Sequence, residues 1–263
     1  MELKNKKCFI LDMDGTIYLG DKLIEGTKEF LELLEKQNKK YLFVTNNSSK
    51  SAKDYVDKLN RLGIYAKKEN ILTSGEATCI YLNRYNPGAK VYVVGTEGLL
   101  KEFRDYGFNV TNGREELPDY VVLGFDTSLN YMKIWEACSF IRKGVPFIAT
   151  HPDYNCPLEN GEFMPDCGAM IEMFKASTGI FPKIIGKPNK EIVDVIYEKT
   201  NLSSKDIAIV GDRLYTDIMT GKNSGITSIL VLSGETKAED LEDTEISPDI
   251  VLESVKNLYE ILI

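Results

Sequence analysis

Short apolar runs without polar alternation, separated by amphipathic helix patterns, constrain the fold of this chain more than any other feature. A strand covered on both faces shows a continuous apolar run, whereas a strand with one wet face alternates apolar and polar residues. Such strands, when they alternate with helices, favour a parallel sheet with helices on both faces. We therefore predict a doubly wound α/β fold, with core strands at residues 8–11, 41–44, 71–73, 207–210 and 228–232, and with the same pattern resuming at Ile184 and Ile185.

Two helices of the first third can be placed from their ends. Thr27 is the predicted N-cap of the first helix, and Phe30 and Leu34 lie on its apolar face. The second helix is predicted to start near Ser51 and to stop at Gly63.

The middle of the chain carries a complete set of elements of its own. Short segments of small residues bound it at residues 73–78 and 176–179. About a hundred residues suffice for a small independent domain, so we predict a core of residues 1–76 and 181–263 with a smaller α/β domain, residues 77–180, inserted into it. One continuous large sheet is the alternative. The inserted strands are predicted at 91–94, 120–123 and 146–149, and its helices near 97–106, 131–143 and 167–178.

Composition excludes several functional classes. Forty acidic against 32 basic residues give a net charge of -8, and no lysine-arginine block is present that would track a phosphate backbone, which argues against a nucleic acid polymer as partner. The five cysteines have no CxxC spacing, which suits reduced thiols. The charged N-terminus and the short apolar run after it predict a cytoplasmic protein without a membrane partner. A single histidine, His151, excludes His-rich zinc sites, so any metal must be held mainly by oxygen atoms.

Polar clusters follow the predicted strands at their ends. In an open parallel sheet, ligands bind beyond the carboxyl ends of the strands, where the strand order reverses. This topology would gather side chains that lie far apart in the sequence. The clusters are Asp12 with Asp14, Thr45 with Asn46, Lys187, and Asp212 with Asp217.

These residue types suit phosphoryl chemistry. Several carboxylates without histidine form a hard-oxygen site suited to Mg²⁺, while Lys187 and the Thr45 hydroxyl offer donors to an anion. A carboxylate can attack phosphorus to give an aspartyl-phosphate, and Asp12 is the better nucleophile because it ends a rigid strand. Asp14, further round the loop, could protonate the leaving group and then deprotonate the attacking water.

Four motifs together resemble those of the haloacid dehalogenase (HAD) superfamily phosphatases. They are DxDGT at residues 12–16, Thr45 after the second strand, Lys187, and GDxxxxD at residues 211–217. The segments TNNSS, GKPN and GDRLYTDI, with the inserted α/β domain between the second and third motifs, narrow the resemblance to the NagD-like branch, which includes p-nitrophenyl phosphatases. The resemblance covers essentially the whole chain.

The resemblance implies a HAD-like core with an inserted α/β cap domain, Mg²⁺ as cofactor, and hydrolysis of a small-molecule phosphate ester. It implies that Asp12 is nucleophile and metal ligand, and that Asp14 is the acid/base and binds the metal through its main-chain carbonyl. Asp212 would bind the metal directly, whereas Asp217, counted with the metal residues, would support the site from behind. The expected substrate-binding residues are Gly15, Thr45, Asn46, Asn47 and Lys187 in the motifs, and Asp153 and Cys156 in the cap, where His151 and Asn155 are further candidates.

Several alternatives stay open at this point. A phosphoryl-transferring mutase of the superfamily keeps all four motifs but carries a helical cap between the first two, for which about 30 residues leave no room. A dehalogenase does not need Asp14, and a receiver-like phospho-acceptor module is about half as long. Asn46 and Asn47 could instead form Asx-type caps. A homodimer is an open option for which the sequence offers no exposed stripe.

Overall fold

The computed structural model describes residues 2–158, 162–242 and 244–263. The chain forms two compact units, and each is built on its own parallel sheet. The predicted α/β fold is confirmed, and the alternative of one continuous sheet is wrong. The predicted domain bounds, 1–76 with 181–263 and 77–180, stay a prediction. The first unit comprises Met1–Thr45, Val56–Leu72 and Lys187–Ile263, and the second comprises Asn46–Tyr55 and Thr73–Gly186.

Strands and helices are numbered in chain order. None of the helices in the described ranges is long and apolar enough to cross a membrane. The strands are β1 Cys8–Leu11, β2 Tyr18–Leu19, β3 Lys22–Leu23, β4 Lys40–Thr45, β5 Ile71–Thr73, β6 Lys90–Val94, β7 Asn109–Val110, β8 Tyr120–Leu123, β9 Phe147–Ala149, β10 Asn155–Pro157, β11 Phe163–Pro165, β12 Lys183–Ile184, β13 Ile207–Gly211, β14 Thr227–Val231 and β15 Ile250–Leu252. The helices are α1 Thr27–Lys36, α2 Ala52–Arg61, α3 Ser74–Tyr85, α4 Glu97–Asp105, α5 Tyr131–Arg142, α6 Cys167–Thr178, α7 Lys190–Thr200, α8 Met219–Ser224 and α9 Val255–Leu262.

The sheet of the first unit has the strand order β15-β14-β13-β1-β4-β5. Strand β1 is parallel to both of its neighbours, and its Leu11 lies opposite Phe43 of β4 and Val210 of β13. All four residues of β1 are buried, which explains why its sequence shows no polar alternation. The chain builds one side of the sheet from β4 and β5 and the other side from β13 to β15. The strand order therefore reverses at β1, whose carboxyl end is a switch point of the kind where α/β folds bind ligands.

The sheet of the second unit has the strand order β12-β9-β8-β6-β7, and its paired strands are parallel. Helix α5 packs against α6, and a core that includes Phe140, Phe147 and Phe174 lies within this unit. A separate antiparallel hairpin is formed by β10 and β11.

Several local predictions differ from the structure. Helix α1 begins at Thr27 with Gly26 as its N-cap, because the Thr27 hydroxyl donates to the Ile17 carbonyl (3.1 Å) and is not available as a cap. Ile184, expected where the core pattern resumes, belongs to β12 and lies opposite Ala149 in the sheet of the second unit. Helix α3 follows β5 directly and was not predicted. Its N-cap is Thr73, whose hydroxyl accepts from the Glu76 N–H at 2.9 Å.

Candidate active site

The carboxyl end of β1 holds Asp12 in a fixed position. The Asp12 N–H donates to the carbonyl of Val210 on the adjacent strand at 2.9 Å, so the sheet ladder extends to this residue. The loop that follows is tied back, because the Met13 carbonyl accepts from Ile17 N–H (2.9 Å) and Gly15 N–H donates to the Tyr18 carbonyl (2.8 Å). The Asp12 side chain therefore projects from a rigid main chain.

Three carboxylates converge at this edge of the sheet. One oxygen each of Asp12, Asp212 and Asp217 lies within 4.8 Å of the others. Asp212 follows strand β13, the parallel neighbour of β1, so both strands deliver their aspartates to the same edge. Asp217 lies in a π-helical turn, Leu214–Ile218, and is fully buried. Gly211 permits this approach, since a Cβ on it would collide with the Asp217 carboxylate.

Lys187 is the buried cation of the cluster. Its side chain is 2% exposed, and its Nζ donates to Asp12 Oδ1 (2.7 Å), Asp217 Oδ1 (2.6 Å) and the main-chain carbonyl of Val44 (3.0 Å). The third contact reaches strand β4, on the other side of β1. One ammonium group thus joins residues contributed by three separate parts of the chain.

Burial and mutual repulsion control the ionisation of this cluster. Burial raises the pKa of Asp12 well above its ordinary value; Lys187 opposes this shift, and the two other carboxylates add to it. Burial, and after it the Asp217 charge, raises the pKa of Asp212 to about 7. Burial alone would lower the pKa of Lys187, but Asp12 and Asp217 outweigh it and raise that pKa. One lysine does not compensate three carboxylates, so the cluster favours a further positive charge.

The carboxylate oxygens differ in what they already bind. Both oxygens of Asp217 accept hydrogen bonds, Oδ1 from Lys187 and Oδ2 from the Arg213 N–H at 3.2 Å. Asp212 Oδ2 accepts from the Glu235 N–H at 2.7 Å, whereas its buried Oδ1 has no hydrogen-bond partner among the described residues. A buried, unpaired carboxylate oxygen is costly unless a cation binds it. The donor set therefore fits a divalent metal. The predicted roles of Asp212 as a direct ligand and of Asp217 as support stay predictions.

Two glycines allow the Asp212 carboxylate to lie against the main chain. Gly15 has a φ of +82°, which L side chains rarely adopt, and a Cβ on it would collide with Asp212 and lie 2.9 Å from the Gly234 Cα. A Cβ on Gly234 would likewise collide with the Asp212 side chain. The Gly15 carbonyl also accepts from Ser233 Oγ at 2.7 Å, which ties the two loops together.

Gly15→Ala is expected to destabilise the protein by about 1–3 kcal/mol for the backbone alone, with a further loss from the collision with Asp212. Urea unfolding measures the effect. Gly107→Ala is the matched control, because Gly107 has a similar φ of +85° but no atom lies within 4 Å of the place that a Cβ would take. Equal losses in the two variants would contradict the steric role assigned to Gly15.

The pH dependence of stability offers a second test of the cluster. Because the folded-state pKa of Asp212 is raised to about 7 from its ordinary value of 3.8, its contribution to stability is fully present below the lower value and is lost as pH rises through the higher one. The free energy of unfolding of chelator-treated protein should thus fall between about pH 4 and 7. In Asp212→Asn this part of the decline should disappear. An identical pH profile for both proteins, measured by urea unfolding, would contradict the raised pKa.

Asp14 lies beside this cluster in the sequence but is not one of its three carboxylates. Its Oδ2 accepts a hydrogen bond from the Tyr18 hydroxyl at 3.2 Å, and the Lys58 Nζ lies 3.6 Å from the centre of the Tyr18 ring. The side chain is half-buried. Its predicted roles, as acid/base and as a metal ligand through its carbonyl, stay predictions. Thr45, the last residue of β4, is buried at the same edge of the sheet, and its role also stays a prediction.

The remaining candidates belong to the second unit. Asn46 Nδ2 donates to Asp153 Oδ1 at 2.8 Å, and both side chains are buried. Asn47 Oδ1 accepts from the Ser49 N–H (2.9 Å), the Asx-type arrangement considered as its alternative. The partly buried Cys156 packs against the core of this unit.

His151 and Asn155 are the further candidates of the second unit. His151 is fully buried, with its Nε2 at 3.4 Å from Asp166 Oδ1. Asn155 is exposed on β10. The roles of all these residues toward a substrate stay predictions.

Sequence reasoning missed the loop that binds Asp212. Ser233, Gly234 and Glu235 follow strand β14 and contact Gly15 and Asp212 through the hydroxyl, the glycine Cα and a main-chain N–H. The signal was present, because SGET at residues 233–236 follows a predicted strand at the same edge as the other motifs.

Comparison with known proteins gives consistent matches over the whole chain. The haloacid dehalogenase-like hydrolase family model matches residues 9–109, and a HAD-hydrolase-like model matches residues 184–258. An acid sugar phosphatase of Staphylococcus aureus (strain MRSA252) is 38% identical over 258 residues, which cover 98% of this chain and 97% of that protein.

Solved structures agree with this assignment. The 4-nitrophenylphosphatase of Thermotoga maritima superimposes with a TM-score of 0.95 at 46% identity and covers 100% of both chains. NagD from E. coli K-12 gives a TM-score of 0.86 at 31% identity, covering 96% of this chain and 98% of that one. The resemblance to the NagD-like and p-nitrophenyl phosphatase branch is thereby confirmed. This chain belongs to the haloacid dehalogenase-like hydrolase family.

Proposed function

We propose that this protein is a magnesium-dependent phosphatase that hydrolyses small-molecule phosphate monoesters through an aspartyl-phosphate intermediate. The observation that carries the proposal is the cluster of Asp12, Asp212 and Asp217 around Lys187 at the switch point of the sheet. Relatives named as acid sugar phosphatase and 4-nitrophenylphosphatase support the substrate class. Sugar phosphates and p-nitrophenyl phosphate are accordingly the first substrates to test.

In the first half-reaction, a carboxylate oxygen of Asp12 attacks the phosphorus atom. The bond from this oxygen to phosphorus forms while the bond from phosphorus to the ester oxygen breaks, and Asp14 gives its proton to the departing alcohol. In the second half-reaction, Asp14 takes a proton from water, which attacks the same phosphorus. Inorganic phosphate leaves and the Asp12 carboxylate is restored.

Lys187 and the loop donors would stabilise the negative charge of the phosphoryl group. The Lys187 ammonium already lies 2.7 Å from Asp12 Oδ1, so it is placed to balance the negative charge that the phosphoryl group adds beside Asp12. Thr45 and the Gly15 loop would donate to phosphoryl oxygens. Among the residues of the second unit, Asn46, Asn47, Asp153 and Cys156 are proposed to face the substrate.

Asp12, Asp212 and the Asp14 carbonyl are proposed to hold Mg²⁺, with Asp217 as support. The unpaired Oδ1 of Asp212 favours a cation at this place. When bound, Mg²⁺ would neutralise carboxylate and phosphoryl charge that one lysine leaves uncompensated.

A cytoplasmic location and a homodimer remain part of the proposal.

The test is phosphate release from p-nitrophenyl phosphate and from a panel of sugar phosphates and nucleotides. Activity should vanish with excess chelator and return with Mg²⁺, because the carboxylate cluster needs a cation to accept a phosphoryl anion. Full activity in excess chelator would overturn the metal assignment. Transfer to a second sugar hydroxyl without net phosphate release would indicate a mutase, and a single labelling without turnover would indicate a receiver-like module.

A further inference from the structure

The amino edge of the six-stranded sheet carries a groove, opposite the edge that holds Asp12. Its volume is about 760 Å³, within the usual range of small-molecule pockets. The first residues of β1 and β4, Cys8 and Lys40, lie opposite each other in its lining. The length of β1 separates this groove from Asp12 by about 13 Å.

The groove is positively charged although the chain carries a net charge of -8. Four lysines line it, against Glu35 and Glu69, which gives a local net charge of +2. Main-chain carbonyls orient three of the ammonium groups: Lys39 Nζ donates to Lys4 and Lys6 (2.6 Å each), Lys40 Nζ to Thr200 (3.1 Å) and Lys199 Nζ to Ile71 (3.3 Å). The fourth lysine is Lys67.

Carbonyl partners have a specific electrostatic consequence. A carbonyl orients an ammonium group but carries no net charge, so the positive charge of Lys39 and Lys40 remains available to an anion. Glu35, one of the two acidic residues of the lining, accepts a hydrogen bond from the Tyr41 hydroxyl at 3.1 Å.

A second, smaller pocket adjoins the charged groove. This smaller pocket of about 200 Å³ shares Glu35, Tyr41 and Tyr65 with the groove. The residues that it adds are the apolar Leu31 and Ile64, the charged Lys28 and Glu32, and Gly63. Tyr65 is 76% exposed, so its ring is accessible to a ligand in the groove. Tyr41 and Tyr65 thus lie where the two pockets meet.

We propose that this groove is a nucleotide-binding site, with the phosphates on the lysines and the base against the tyrosine rings. Phosphate oxygens accept strong hydrogen bonds from ammonium groups, and bases stack on aromatic side chains. The site lies apart from the catalytic edge, so it does not depend on the phosphatase proposal. Because about 13 Å separates this groove from Asp12, a nucleotide bound here is out of reach of that carboxylate and is not its substrate.

Calorimetric titration with adenosine 5′-(β,γ-imido)triphosphate in excess chelator tests the proposal on the full chain. Lys39→Gln/Lys40→Gln should weaken binding by about tenfold or more. Tyr65→Ala should weaken nucleotide binding several-fold but leave inorganic tripolyphosphate unchanged, since only the base needs the ring. Excess p-nitrophenyl phosphate should not displace the nucleotide.

The matched control is Lys53→Gln, an exposed lysine of α2 outside the groove. Thermal unfolding would reveal misfolding of the double variant. Lys67→Gln is therefore tested as well, because it removes a different lysine of the lining, one that is exposed. Hydrolysis of p-nitrophenyl phosphate without nucleotide should be the same in all groove variants. A dissociation constant within twofold of the unmodified protein in Lys67→Gln and in the double variant would overturn the proposal, as would displacement by p-nitrophenyl phosphate.

Discussion

Asp12→Asn is expected to lower phosphatase turnover by about 10⁴-fold or more and to abolish phosphoenzyme formation. The amide keeps the shape of the side chain at the end of β1 but is a poor nucleophile. Acid quenching of the reaction with ³²P-labelled substrate should trap label on the unmodified protein and none on the variant. Asp21→Asn, at an exposed turn residue, is the control for the loss of one carboxylate and should leave turnover unchanged.

Asp14→Asn separates the two carboxylate roles. This variant should still be labelled by p-nitrophenyl phosphate, whose leaving group needs little protonation, but should release phosphate very slowly because no base remains for the water. Label on Asp12→Asn, or equal and mild losses in both variants, would show that the nucleophile is a different residue.

Lys187→Met is expected to cost about 3–5 kcal/mol of folding stability in the presence of chelator, and about 10²–10³-fold in turnover. The reason is that Lys187 is 2% exposed and bridges Asp12 and Asp217, so its removal leaves the fully buried Asp217 and the largely buried Asp12 without their cation. Urea unfolding and steady-state kinetics measure the two effects separately.

Lys190→Met is the matched control for this substitution. Lys190 lies three residues further on and pairs with Asp194 at 2.6 Å, but its side chain is 79% exposed. Solvent-exposed pairs contribute less than about 1 kcal/mol, so this variant should be nearly neutral. Similar losses for the two variants would mean that burial does not determine the contribution of Lys187.

The sequence was most informative where chemistry and strand pattern coincide. Asp12 and Asp212 are far apart in the chain, yet the rule that parallel strands deliver their carboxyl ends to one edge predicts their approach. Lys187 does not follow from this rule, because the strand before it, β12, belongs to the sheet of the second unit. The Glu235 N–H that binds Asp212 could not be predicted from residue type, because every residue except proline carries such a donor.

Helix α3 was missed for a different physical reason. Its first turns, Ser74 to Cys79, are buried on all sides, so no polar face marks the helical period. Small residues such as Ser74 and Gly75 also have low helix propensity, so the local sequence predicts a junction between domains at this place. Packing inside the second unit overrides that local preference.

The hydrogen bond from Glu235 to Asp212 also bears on which ion the site prefers. Asp212 Oδ2 already accepts a hydrogen bond and both oxygens of Asp217 do so too, whereas Asp212 Oδ1 has no partner among the described residues, so a single-oxygen contact with a cation is favoured over chelation. Ca²⁺ takes six to eight oxygen ligands and often uses both oxygens of a carboxylate, whereas Mg²⁺ accepts one or two single-oxygen contacts and keeps its water molecules. Discrimination between two ions of equal charge would then originate in a main-chain amide that never touches either of them.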